Sequence, residues 1–314
     1  MNVRDRLKKA RGLVSKLGLS ALLISRPSNI TYFTGFIGGS RLLVPGEGEP
    51  TIFVGGVDLT AAEEHFSGTG VAVRHIKLGE KLDDVVLGAL RELGPGVLGF
   101  DELPLKSYLR FSRELGQGRL RDVGDEVWAL RKAKDGRELE AIRKACEIAS
   151  RALEIVPEIL RPGLSELELA GGLERELRRA GSEAHPFQVI VASGPNSALP
   201  HARPSDRRLE EGDLVVIDLG ATYHGYVSDM TRTFVVGSAS REQEKAYELV
   251  LRAQREGIMA LRAGVRACDV DRAARSIIEE AGYGRFFVHT LGLSLIHISE
   301  PTRPRLSSYA VFCL

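Results

Sequence analysis

Cysteine is scarce and poorly placed for covalent work. Cys146, Cys268 and Cys313 are scattered and odd in number, which leaves no disulfide framework and no Cys-x-x-Cys metal spacing. A reducing, cytoplasmic setting is the simplest expectation. No apolar run approaches the roughly 18 residues of a spanning helix. The opening stretch, MNVRDRLKKARGLVSKLG, is a charged amphipathic helix without the apolar core of a secretory leader. An excess of charge is also lacking. Lys and Arg number 43 against 42 Asp and Glu, a net charge of +1, so nothing draws nucleic acid or an anionic membrane as partner. What is present, 43% hydrophobic and 27% charged residues over 314 positions, suits a soluble globular protein long enough for two domains.

Up to about residue 120 the pattern alternates between helical and extended periods. Leu7, Ala10, Val14 and Leu17 recur at helical spacing over 4–17. ALLIS (21–25) reads as a buried strand, and RLLVP and TIFV flank the turn GEGEP as neighbouring strands. DLTAAEEHF reads as a helix, VAVRHIKL as a strand, KLDDVVLGALRELG as a helix and GVLGFD as a strand. Such alternation predicts an α/β layered domain. After a boundary near 120–135 the helices lengthen. Leu139, Ile142, Cys146, Ala149, Leu153, Val156 and Leu160 would form one continuous apolar face. SELE at 165–168 has the form of a capping box, with Gly181 as the stop.

Residues 160–181 and 261–282 correspond at a constant offset, without a gap: Leu160 with Leu261, Gly163 with Gly264, Ala180 with Ala281, Gly181 with Gly282. Either two loop-helix units are alike by chance, or an α/β unit is duplicated with a site between its halves. Between the copies, LVVID and VSDMTRTFVV read as two strands joined at GATYHGY. A turn centred between Tyr223 and His224 would place Asp218 directly opposite Asp229, on one face of the hairpin. Facing carboxylates repel, so a shared proton, an arginine such as Arg232, or paired divalent cations must neutralise them. Just upstream an apolar strand over 189–192 runs into a Gly-Pro-Asn turn, then a loop in which Pro200 and Pro204 bracket His201 and restrict its backbone. An imidazole held there could donate to a substrate carbonyl or shuttle a proton.

The order IVASGPNSALPHARP, then Asp218, then Asp229, resembles the pita-bread metallopeptidases, in particular their Xaa-Pro aminopeptidase and Xaa-Pro dipeptidase (prolidase) branch. SNITYFTGF (28–36), LRKAKDGRELEAIRKA (130–145) and GYGRFFVHTLG (282–292) add to the likeness, which covers residues 5 to 292. The resemblance implies an α/β (α+β) chain. A creatinase-like N-terminal domain would occupy 1–125, and a pita-bread domain of two related halves, the second incomplete, 126–292. It implies hydrolysis of the bond before proline in peptides with proline second, by two divalent ions, Mn2+ or Co2+, with a homodimer as the common assembly. Asp218 and Asp229 match two of five metal ligands. His201 matches a histidine that contacts substrate and intermediate, and His289 a second substrate-side histidine. Two other functions stay open on this scaffold: creatinase-type amidinohydrolysis, and peptide binding without hydrolysis. A methionine aminopeptidase fits less well, since those enzymes lack the extra N-terminal domain.

The likeness breaks at Leu293, where the pattern calls for a metal-binding histidine. From Leu293 to Arg303 the chain reads LSLIHISEPTR, which resembles the in-frame translation of a sequencing-library transposon adapter. Residues 293–314 are therefore expected to be an artefactual tail whose His297 and Glu300 are not the missing ligands. On this reading the remaining histidine and both glutamate ligands are absent, and this chain is expected to bind metal weakly and to be inactive.

Overall fold

The computed structural model describes residues 3–288 and 290–291. His289 and the tail from Leu293 lie outside the described residues. Two compact units divide between Arg137 and Glu138.

In the first unit α1 (Val3–Lys16), β1 (Ala21–Ile24), α2 (Pro27–Thr34), β2 (Gly39–Pro45), β3 (Thr51–Gly55), α3 (Leu59–Phe66) and β4 (Ala72–Ile76) follow in order. They are succeeded by α4 (Leu82–Glu92), β5 (Leu98–Phe100), α5 (Leu105–Leu115), β6 (Leu120–Asp122) and α6 (Gly124–Lys132). Six strands form one sheet in the order β4-β3-β2-β1-β5-β6. Its central strands are buried on both faces, and the two-residue period sorts them. Leu22, Ile24, Leu42, Val44, Ile52 and Val54 enter one core layer with α1. Ala21, Leu23, Leu43 and Phe53 enter the other, with Val86, Leu90 and Phe111 of α4 and α5. The helix α6 stays with this unit. Val127 is buried in the first layer, and the Tyr32 hydroxyl donates to the Leu130 carbonyl at 3.1 Å.

The second unit takes in α7 (Gly136–Glu154) from Glu138 onward, then α8 (Val156–Ile159), α9 (Glu166–Arg179), β7 (Ile190–Ser193), β8 (Leu214–Leu219), β9 (Thr222–Tyr223), β10 (Tyr226–Val227), β11 (Met230–Val235), α10 (Arg241–Ala260) and α11 (Ala267–Glu280). Three strands form an antiparallel sheet in the order β11-β8-β7. Val215, Ile217 and Leu219 of β8 enter a core with Ile148, Leu153, Leu169, Leu173 and Leu177. Alternation therefore turns Val216 and Asp218 to the other face.

The apolar face expected over 139–160 is corrected in two ways. The helix ends at Glu154 and restarts at Val156, with Pro157 in the first turn of α8, where its missing amide costs nothing. The buried stripe of α7 is Ala141, Ala145, Ile148, Ala149, Ala152 and Leu153, while Leu139 is 50% exposed. Ala149, Leu153 and Val156 of the expected face are buried, but over the first half of α7 the stripe runs through the small side chains Ala141 and Ala145, which a pattern weighted to large side chains passes over.

The corresponding segments adopt similar backbones. Both helices, α9 and α11, have 14 residues. Gly163 and Gly264 both have φ of 84°. Leu160 (φ −69°, ψ 115°) and Leu261 (φ −76°, ψ 112°) end the preceding helices alike. The copies differ at the cap. Ser165 and Glu168 form the expected capping box, whereas Arg266 offers no side-chain cap.

Candidate metal centre

The hairpin that carries both aspartates has a different register from the simplest one. Asp218 pairs with Thr231 and Leu219 with Met230, and the tip continues that register through Tyr223 and Tyr226. The turn therefore centres on His224 and Gly225, one residue late. Both have positive φ, 50° and 75°, the left-handed pair whose twist suits a two-residue hairpin turn. Glu183 fixes it there. Its carboxylate accepts from the amides of His224 at 2.8 Å and Gly225 at 3.2 Å.

Moving the turn by one residue slides the pairing by two, and a two-residue slip preserves the face. Asp229 thus lies diagonal to Asp218, on the same face and still within side-chain reach. Beyond the ladder, the Ser228 amide donates to the Ala221 carbonyl at 2.9 Å. The Ser228 hydroxyl accepts from the Ala221 amide and donates to the Ala145 carbonyl. These bonds hold the chain at Asp229 against the end of β8.

Gly220 permits that approach. A Cβ at this position would lie 2.3 Å from the Ser228 carbonyl oxygen and 2.6 Å from Pro186. Gly220→Ala is expected to separate the strand ends, cost about 1–3 kcal/mol as an overpacked site, and weaken divalent-ion binding. Gly171→Ala is the control. It lies inside α9 with nothing within 4 Å of the added carbon, so it should be neutral or stabilising by up to about 1 kcal/mol. Thermal melts of the two variants with and without Mn2+ check the contrast.

Asp218 is 1% exposed. One of its oxygens accepts from the Thr231 hydroxyl at 3.0 Å, while its Oδ2 and the Oδ2 of Asp229 are buried with no hydrogen-bond partner. Burial, then the negative charge of Asp229, pushes the Asp218 carboxyl up to about 8. Burial also raises Asp229, to about 6, with donation from Asp218 working the other way. The metal-free pair therefore keeps a proton at pH values where an ordinary carboxylate has lost it. Arg232, the alternative neutraliser, is exposed and donates to the Thr231 carbonyl instead.

Two orphaned, buried, hard oxygen donors in a site of excess negative charge fit a divalent cation. Among the described residues no group of three or more His, Cys, Asp or Glu side chains surrounds them. His201 is exposed, in the loop that follows β7 and the short turn Gly194–Ala198. The structure thus brings together the two aspartates and leaves His201 outside a ligand cluster with them. The roles of Gly220, Glu183 and Thr231 were not read from the sequence. A glycine between two strand signals and a turn at His-Gly were the available hints.

Comparison with known proteins supplies the context. The profile described as "Metallopeptidase family M24" matches residues 140–309, and "Creatinase/Prolidase N-terminal domain" matches 6–133. The first match runs on into the tail. The Xaa-Pro dipeptidase of Pyrococcus furiosus is 36% identical over 313 residues, covering 98% of this chain and 86% of that protein. The structure of an Xaa-Pro dipeptidase from Bacillus anthracis superposes with a TM-score of 0.84 at 31% identity, covering 94% of this chain and 82% of the other. An X-Pro aminopeptidase from Thermotoga maritima gives 0.83 at 34% identity, with coverage of 91% and 80%.

Proposed function

Because this chain belongs to metallopeptidase family M24, we propose that its architecture serves hydrolysis of the peptide bond between an N-terminal residue and proline. The observation that carries this reading is the pair of buried, partnerless carboxylate oxygens on Asp218 and Asp229, in a chain whose relatives over nearly its whole length include two Xaa-Pro dipeptidases. The two aspartates would hold two divalent ions, for which oxygen donors favour Mn2+ or Co2+ over thiolate-seeking metals. When bound, such ions supply an activated water and stabilise charge developing on the substrate carbonyl. The chain's own part is to surrender the proton that Asp218 and Asp229 share on loading, to hold the two carboxylates side by side, and to present His201 and His289 to the substrate. We place the enzyme in the cytoplasm, as a homodimer acting on peptides with proline second. Among the described residues no helix is long and apolar enough to cross a membrane.

Leu293 stands where the resemblance puts a ligand imidazole, so the chain as written should load metal weakly and turn over slowly. A paired assay separates a missing ligand from a mistaken function. The chain, and a chimera in which residues from 293 onward are replaced by the corresponding segment of the Pyrococcus furiosus dipeptidase, are incubated with Mn2+ or Co2+. Substrates are Xaa-Pro dipeptides, longer peptides with proline second, Xaa-Ala controls and creatine. Xaa-Pro cleavage by the chimera, abolished by chelator, is expected to exceed that of the chain. A chimera that binds Mn2+ yet leaves every Xaa-Pro bond intact, or that hydrolyses creatine instead, overturns the reading.

A further inference from the structure

A carboxylate outside the metal centre is the most heavily bonded side chain near the His201 loop. Glu166, the first residue of α9, has no exposed surface. Its Oε1 accepts from the Ser193 amide at 2.8 Å, the Ser193 hydroxyl at 2.7 Å and the Asn196 side-chain amide at 3.1 Å. Its Oε2 accepts from the Ser205 amide at 3.0 Å and the Ser205 hydroxyl at 2.7 Å. His201 sits between these two sets of donors, after Asn196 and before Ser205.

We infer that Glu166 is a positioning residue, a buried carboxylate that ties together both ends of the loop carrying His201. The bonds do not serve the helix. Capping is already complete in Ser165 and Glu168, and the Glu166 and Leu167 amides donate to the carbonyls of Arg207 and Ser205. The bonds of the Glu166 carboxylate go to the loop instead. Burial disfavours its charge, but the donors on both oxygens outweigh burial and hold the carboxyl below its ordinary range. Its place at a helix N-terminus acts in the same direction. A second tie reinforces the first. Arg207 donates to the Ser193 hydroxyl at 2.7 Å and to Asp213 at 2.5 Å. Gly194 (φ 50°) fits beside that pair only without a side chain, since a Cβ would lie 2.4 Å from Asp213. The short path from Asn196 to Ser205 is thereby closed on itself, and the freedom His201 would have in an open loop is removed before substrate arrives.

The test reads the imidazole itself, in the full-length chain. Glu166→Gln keeps the shape, removes the charge and turns one acceptor into a donor facing other donors. Histidine resonances are compared with wild type, His201 being assigned by His201→Gln, and amide exchange is followed over 193–207. The expected result is a shifted, broadened His201 signal and exchange about tenfold faster in that segment, the loss of a hydrogen bond or two. His65, His75, His185 and His224 should be unmoved. An unchanged His201 signal with unchanged exchange overturns the inference. Should Glu166→Gln unfold the second unit, Ser205→Ala decides. It removes one donor and leaves the carboxylate, so a local change at His201 supports the inference and an unchanged signal overturns it. What the held histidine does rests on the proposed hydrolysis. These readouts need no turnover, so failure of the peptidase assay and failure of this inference are distinguishable.

Discussion

Replacing Asp218 by asparagine is expected to move two measurements in opposite directions. Affinity for Mn2+ should fall by at least about 100-fold, because one hard, charged donor of a two-carboxylate site is lost. Removal of an outer-shell group alone costs metal sites roughly 10- to 100-fold. Stability of the metal-free chain at pH 8 should rise. Asp218 is buried, its Oδ2 has no partner, and it faces the charge of Asp229. The asparagine amide would carry no charge and could donate to Asp229. Most core substitutions lower stability and function together. A variant that gains stability while losing the ion is the mark of carboxylates held in place for a ligand rather than for the fold. Asp229→Asn should act in the same directions with a smaller stability gain, since Asp229 is less buried and its carboxyl is raised less.

The same pair sets the second large effect, on stability as a function of pH. Both carboxyls have folded-state values above the ordinary 3.8, about 8 and about 6. The native state therefore binds protons that the unfolded state releases. Their contribution is fully present below about pH 4 and is lost as pH rises through about 6 and then about 8. In chelator, urea unfolding should show stability falling by on the order of 5 kcal/mol between about pH 5 and about pH 9, a slope that Asp218→Asn flattens. With Mn2+ present the trend should weaken, because ligands must be deprotonated and metal affinity rises with pH. A metal-free chain whose stability does not fall across that window would contradict the geometry of the pair.

Much of this was legible in the sequence, for identifiable reasons. Strands such as β1 and β8 are short apolar runs bounded by turn signals, and the capping box at Ser165 and Glu168 is a local device that owes nothing to the rest of the fold. The correspondence of 160–181 with 261–282 was readable because glycines at fixed places take positive φ in each segment. What escaped depended on tertiary context. No element was expected over 27–34, where Ile30, Thr31, Tyr32 and Phe33 are weak helix formers. Yet Pro27 starts a helix there, Gly35 ends it with φ of 71°, and burial of Ile30, Tyr32 and Phe33 outweighs propensity. The hairpin register failed by two residues because Glu183, distant in sequence, anchors the turn amides. The aspartate pair survived that error only because side chains on a strand alternate with a period of two. Glu166 was legible as part of a cap motif and invisible as a clamp, since its partners come from another segment of the chain.

The central claim is that Asp218 and Asp229 form a proton-loaded divalent-ion site. Calorimetric titration with millimolar Mn2+ at pH 7, repeated in buffers of different ionisation enthalpy, tests it most directly. With Asp218 raised to about 8, binding to wild type should release about one proton, and Asp218→Asn should abolish both the binding heat and the release. Binding without proton release, or heat that persists in the Asp218→Asn variant, would contradict the account.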